Sequence, residues 1–229
     1  MSRFTVAPLR DDGNSLKGEP VMANTFAPSG FLQFQGGAGG APTFAQSPRV
    51  IASTNSTPIF TGDPVVPVTG TANGYITQGQ NSNSTVLAGI FVGCKYLSTS
   101  QKRVVWSSYW PGSDATGDVT AYVIDDPNSR FIVQTSGASF PITGTTTSQG
   151  SGVQGQYAQF TIGSGNTSTG RSGAYLSAVG STVTYPFIIV DYSPSFGNGG
   201  DPTTQYCNVV VGFNNEVWRT NGAGPTGIS

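Results

Sequence analysis

Eleven carboxylates and no histidine set the chemistry open to this 229-residue chain. Five aspartates are candidates for carboxylate work: Asp114 and Asp118 in SDATGD, Asp125 and Asp126 in IDDPNS, and Asp191 in IIVDY. A glycoside hydrolase needs two carboxyl groups converging on one bond. Asp125 and Asp126 are poorly placed for that, because adjacent strand residues point to opposite faces. Asp-Pro-Asn-Ser is turn chemistry instead: proline biases its predecessor away from the helical region, and Asx side chains cap nearby amides. SDATGD could hold calcium with help from backbone carbonyls, but it lacks the EF-hand spacing and reads as a solvated hairpin loop. A hydrolase acting on cell-wall sugar would need some pair among these five aspartates.

Other catalytic constellations fare worse. Without histidine there is no Ser-His or Cys-His pair. The sequence GRSG at Gly170–Gly173 lacks the spacing of a nucleophile elbow. GTANG and GSGNTSTG have the glycines of a phosphate loop but not its lysine. Cys94 and Cys207 sit in the apolar runs IFVGCKYL and QYCNVVVGF and read as buried thiols; two cysteines without histidine do not make an ordinary zinc site. The expectation is a non-enzyme with no catalytic residue, metal site or cofactor.

The elements that carry these residues are strands. From Pro48 onward short apolar runs follow one another, among them RVIAS, PIFTGDPVVPV, TVLAGIFVGCKYL, KRVVWSSYW, DVTAYVID, RFIVQT, QYAQFTI, TYPFIIVDY and NVVVGF, separated by Gly, Asn, Asp and Pro clusters. Val119, Ala121 and Val123 alternate with Thr120 and Tyr122, the pattern of a half-buried strand. PFIIV and NVVVGF are apolar on both faces and suit central strands. The predicted fold is an all-β barrel or sandwich. Arg171 to Val179 is the nearest approach to a helix, and it is short and weak.

Residues 1–47 have no sustained period, yet contain Phe4, Phe26, Phe31, Phe34 and Phe44; a disordered tail is poorer in aromatics. They read as an extended arm anchored by those rings on its own body or on a neighbour, ahead of a body at 48–229. Residues 136–182, rich in Gly, Ser and Thr, read as an insertion into that body. Tyr109-Trp110-Pro111 suits an anchor, of the core or of an interface, with a sugar-stacking platform as the alternative.

Composition narrows the partners. Charged residues are 9% and the net charge is −1, so nucleic acid finds no basic patch. No apolar run approaches a membrane span, and MSRFTVAPLRDDGNS has no apolar signal core, which points to synthesis in the cytoplasm. A surface solvated by Ser, Thr, Asn, Gln and Gly can be buried against an assembly without desolvating many ions.

The ordered motifs IFTGDPVV, LAGIFVGCKYL, VVWSSYWPG and VTAYVIDDPNSRFIVQT, followed by TGRSGAYL, YPFIIVDY and NVVVGFNNEVWR, resemble a group of tailed-bacteriophage virion proteins, the head decoration or cement proteins. The resemblance covers roughly residues 48 to 225, and IFTGD followed by AGIFVG is also similar to the small β-barrel of lambda-type decoration proteins. It implies a protein on the outer surface of the capsid that bridges neighbouring major capsid protein subunits, often as a trimer, with a dimer also open. The contact residues expected on this reading are Phe4, Phe26, Phe31, Phe34 and Phe44, then Tyr109 and Trp110. A head-fibre or tail component that binds host glycans through Trp106, Tyr109 or Trp110 is the alternative.

Overall fold

A computed structural model of the chain describes residues 24–36, 41–42, 45–70, 74–80, 85–137, 153–192, 199–200 and 205–217. The short apolar runs form fourteen strands, and no α-helix occurs among the described residues. In chain order they are β1 (Leu32–Gln35), β2 (Ser47–Ile51), β3 (Ile59–Phe60), β4 (Pro64–Pro67), β5 (Ile76–Gln78), β6 (Gly89–Leu97) and β7 (Val104–Ser107). The series continues with β8 (Tyr109–Trp110), β9 (Val119–Ile124), β10 (Arg130–Gln134), β11 (Tyr157–Thr161), β12 (Tyr175–Gly180), β13 (Phe187–Tyr192) and β14 (Asn208–Phe213).

One six-stranded antiparallel sheet runs β1-β10-β14-β13-β11-β12. A second runs β2-β9-β6-β4-β5, with β7 also pairing β6, and β3 pairs β8 in a separate ribbon. The parallel bridge between Val50 and Tyr75 brings β5 back toward β2 without closing a ladder. The architecture is therefore sandwich-like rather than a closed barrel.

Two cores follow from the alternation of side chains. The first lies on the six-stranded sheet, where Phe31 stacks on Phe187 at 4.4 Å between ring centres, and Phe131, Phe160 and Phe213 complete an aromatic cluster. The second lies inside the other sheet and its ribbon, around Phe91, Tyr96, Trp110, Val119, Ala121 and Val123. Strand β6 serves both: Ile90 faces the first core and Phe91 the second. Cys94 and Cys207 are free, buried thiols that belong to different cores.

Residues 24–36, part of the expected arm, dock on the chain's own body: β1 is the edge strand of the six-stranded sheet against β10, and Phe31 is buried in its core. The strand expected at QYAQFTI is β11, and by pairing both β12 and β13 it joins this part of 136–182 to the main sheet. Arg171 to Val179 holds the start of β12 instead of a helix; Tyr175 and Leu176 register against Thr161 and Phe160. Phe4, Phe44 and residues 138–152 lie outside the described residues.

Removing residues 1–36 deletes an edge strand and a core ring and should lower the urea midpoint. Phe31→Ala alone should cost about 3–5 kcal/mol, the usual cost of truncating a buried phenylalanine. Urea unfolding followed by tryptophan fluorescence measures both.

Candidate functional site: an uncovered sheet face

Strand β9 puts Val119, Ala121 and Val123 into the second core, so Thr120, Tyr122 and Ile124 share the opposite face. The register carries this face across the sheet. Lys95 lies opposite both Trp106 and Thr120, Leu97 opposite Val104, Gly93 opposite Tyr122, and Thr120 opposite Val50. Residues directly opposite one another in an antiparallel ladder lie on the same face. At one end of this face Ile90 and Ile124 are buried in the first core. Beyond them it emerges uncovered: Trp106 is 67% exposed, Val104 54%, Leu97 43% and Val50 40%.

A β-bulge between Phe91 and Gly93 marks the transition. Bulges bend the strand and increase its local twist, and here the bend separates the covered half of β6 from the open half. Gly93 leaves room beside it. A Cβ at that position would lie 2.9 Å from the Ser107 carbonyl oxygen, so a side chain there would force β7 away. The Trp106 ring stacks nearly parallel to Tyr122, with centres 5.5 Å apart and planes within 9°. The Lys95 ammonium lies 5.2 Å from the indole centre, within cation–π range. Beside the two stacked rings opens a groove of about 350 Å³, lined by Gln46, Gly93, Trp106, Ser107, Ser108 and Tyr122 among others. Among the described residues no carboxylate lines it.

The residues singled out from the sequence go to other places. Trp110 is fully buried, donates its indole N–H to the Asn55 carbonyl at 3.2 Å and meets Tyr96 edge-on, so it anchors the core and is not a contact residue. Phe31 is likewise a core residue. Tyr109 is half-buried and lies flat on Phe60, with planes within 6°. Phe34 is half-buried. Phe26 is 43% exposed and packs against Tyr175 and Tyr206 with ring centres 5.0 and 5.2 Å away.

The five candidate aspartates each have their own partners. Asp125 accepts from Ser47 at 2.8 Å and pairs with Arg49, fastening β2 to the end of β9. Asp126 caps its own turn by accepting from the Asn128 amide at 2.9 Å. The Ser98 hydroxyl and Ser100 amide on Asp114 hold its carboxyl below the usual carboxylate range. Asp118 accepts from Tyr75 and from the Ser53 amide. Asp191 accepts from Gln154 and from the Tyr192 amide. Among the described residues no cluster of three or more His, Cys, Asp or Glu could hold a metal ion.

The carboxylate that sequence reading passed over is Asp63. It is buried, with one oxygen accepting from the Phe60 amide and the Gln78 side chain, both at 2.8 Å, and the other from the Ser172 hydroxyl at 2.5 Å. Ser172 in turn accepts from the Ala174 amide at 2.8 Å. Ser172 is the serine of GRSG, and its burial beside a carboxylate makes it a latch, closed to substrate. Burial pushes the Asp63 carboxyl above the usual range, against the pull of its three hydrogen bonds. The sequence cue was present in TGDP, where an aspartate adjoins apolar runs on both sides, but turn composition masked it.

Because folded Asp63 holds its proton more tightly than the unfolded chain does, its contribution to stability is complete below its unfolded value near 3.8 and is lost as pH rises through the raised folded value. Asp63→Asn should flatten that part of the stability–pH profile. Asp63→Ala strips three donors of their acceptor and should cost about 3 kcal/mol or more at neutral pH, at roughly 1–3 kcal/mol for each unsatisfied group. Urea midpoints from pH 3 to 8 would show no difference between wild type and Asp63→Asn if the latch were unimportant.

The chain matches no protein-family model, no curated protein and no solved structure.

Proposed function

We propose that this chain is a non-catalytic decoration protein of a tailed-bacteriophage head, bound to the outer surface of the mature capsid and bridging neighbouring major capsid protein subunits. The observation that carries the reading is the uncovered continuation of a core-facing sheet surface, with Trp106 as its most exposed aromatic. Exposed contiguous apolar surface marks an interaction site. A tryptophan beside a cation is the kind of residue on which binding energy concentrates. The resemblance of residues 48 to 225 to phage cement proteins supplies the partner and favours a homo-oligomer, a trimer above a dimer. The low charge of the whole surface fits a protein that lives packed in a shell. Phe26, with Tyr175 and Tyr206, offers a second aromatic contact on the other sheet.

The groove beside Trp106 and Tyr122 favours one rival reading. An aromatic wall with Gln46, Ser107 and Ser108 at its margin suits a sugar ring, so a host-glycan-binding virion protein remains the alternative.

The deciding measurement is the copy number of the protein in purified particles, with binding to capsids that lack it. A simple ratio to the major capsid protein is expected, and Trp106→Ala should weaken capsid binding roughly 30-fold, the ~2 kcal/mol of an interface tryptophan. A handful of copies per particle, together with retention on a glycan array that Trp106→Ala abolishes, would establish the glycan reading instead.

A further inference from the structure

Among the described residues the backbone of β7 has a free edge beside the aromatic face. The Ser98 amide donates to the Arg103 carbonyl at 2.9 Å, and the ladder continues in the same register through Leu97–Val104, Tyr96–Val105, Lys95–Trp106 and Cys94–Ser107. Hydrogen-bonded and non-hydrogen-bonded pairs alternate along an antiparallel ladder. Ser98–Arg103, Tyr96–Val105 and Cys94–Ser107 are therefore the bonded pairs. Val104 and Trp106 turn their amides and carbonyls away from β6. The other side of β6 agrees, since the Leu97 carbonyl accepts there from the Thr116 amide at 2.8 Å. Within the second sheet β7 pairs β6 alone. The free edge ends at Ser108, whose carbonyl lies 2.5 Å from the Thr61 hydroxyl.

Charge singles out what could pair there. From Pro64 to Ser113 the chain has no acidic residue and its three charged groups are Lys95, Lys102 and Arg103; the nearest carboxylate, Asp114, is held at the β6–β7 turn by the Ser98 hydroxyl and the Ser100 amide. Lys102 and Arg103 stand exposed where β7 begins, and Lys95 stands on the face beside Trp106. At the far end Gly170 packs on Ser108, followed by exposed Arg171. A second copy offering the same edge would bring like charges together, which is unfavourable across a ladder. Lysines on edge strands serve that blocking role. An acidic strand meets no such barrier.

We propose that the β7 edge takes an extended acidic segment of a partner polypeptide by strand addition, with Val104 and Trp106 supplying the backbone pairing and Lys95, Lys102 and Arg103 selecting the charge. Main-chain bonds give affinity in this mode and side chains give specificity. The identity of the partner rests on the decoration reading; the chemistry of the edge does not.

The test uses the full chain and three labelled octapeptides in which valine alternates with glutamate, serine or lysine, read by fluorescence anisotropy. The glutamate peptide should bind at least about tenfold more tightly than the serine peptide, and the lysine peptide should not bind. Val104→Pro deletes an outward donor but no bond to β6, and should lose about tenfold, while Val104→Thr keeps the amide and should stay within about twofold. Lys102→Glu combined with Arg103→Glu should reverse the preference between glutamate and lysine peptides, which keeps the test valid if Val104→Pro fails to fold. Absence of glutamate-peptide binding, or binding indifferent to these changes, overturns the proposal. Peptide binding without capsid binding would sink the decoration reading alone. Capsid binding by the wild type with no peptide binding would sink the edge alone.

Discussion

Everything in this fold passes through three residues, Thr61, Gly62 and Asp63. The Thr61 hydroxyl lies between the carbonyls of Val92 and Ser108, at 2.7 and 2.5 Å. Its amide donates to the Gly170 carbonyl and its own carbonyl accepts from the Ser172 amide, both at 2.9 Å. Gly62 donates to Phe91 and accepts from Phe31. Asp63 adds Phe60, Gln78 and Ser172 through its carboxylate. One tripeptide thus ties the start of β1, the bulge of β6, the bend after β7, the end of β5 and the loop before β12. Sequence positions more than a hundred residues apart meet here, and the two cores are held in register by hydrogen bonds. Glycine is required at the crossing: Gly62 has φ +94 and Gly30 φ +78, and a Cβ on Gly30 would fall 2.7 Å from the Ser172 Cβ.

The same crossing determines where the exposed face begins. Phe31 reaches the first core because its amide is held by the Gly62 carbonyl. Val92, the extra residue of the bulge, accepts from Thr61 through its carbonyl and packs against the first core. Past the bulge, the same sheet face is left open. Because side chains alternate past the bulge, β6 cannot place Cys94 and Tyr96 in the second core without also presenting Lys95 and Leu97 outward. The exposed surface is a consequence of how the second core is built, and its aromatic and aliphatic character is the part that packing does not dictate. Polar residues at Val104, Trp106 and Leu97 would serve the fold as well, and this choice of residues is what points to a partner.

The sequence was most readable where local chemistry and tertiary structure agree. The alternation in DVTAYVID became β9 with its faces as expected, and DDPNS became a turn with Asp126 as its cap. Reading failed where distant partners decide. Residues 24–36 lack a period because they contribute only a four-residue bulged edge strand, too short to show one, and β10 lies about a hundred residues away. TGRSGAYL carries a strand whose start is fixed by the Asp63 latch and whose register shifts against β11, so the apolar alternation is broken. Tyr109-Trp110-Pro111 reads as an anchor of the core or of an interface, and it takes distant Asn55 and Tyr96 to place Trp110 in the core. Trp106 stands four residues earlier in the same run, and only strand register separates the two.

Low charge sharpens the question of sheet edges. Natural sheets protect open edges with charge, proline, bulges or shortness, and this chain has ten Lys and Arg in all. It uses the cheaper devices where it can. β1 is short and bulged, and the β12 edge is partly occupied by the Leu176 carbonyl accepting from the Ser136 amide. Among the described residues, only β7 combines a free edge with a concentration of cations and an apolar face beside it. If the cations served protection alone, nothing would require Trp106 and Val104 to be exposed next to them, since a solvated edge is safer with polar neighbours. Cations that repel a second copy, set beside an aromatic face that attracts apolar surface, are the combination that the proposed addition of a strand from a different chain would use.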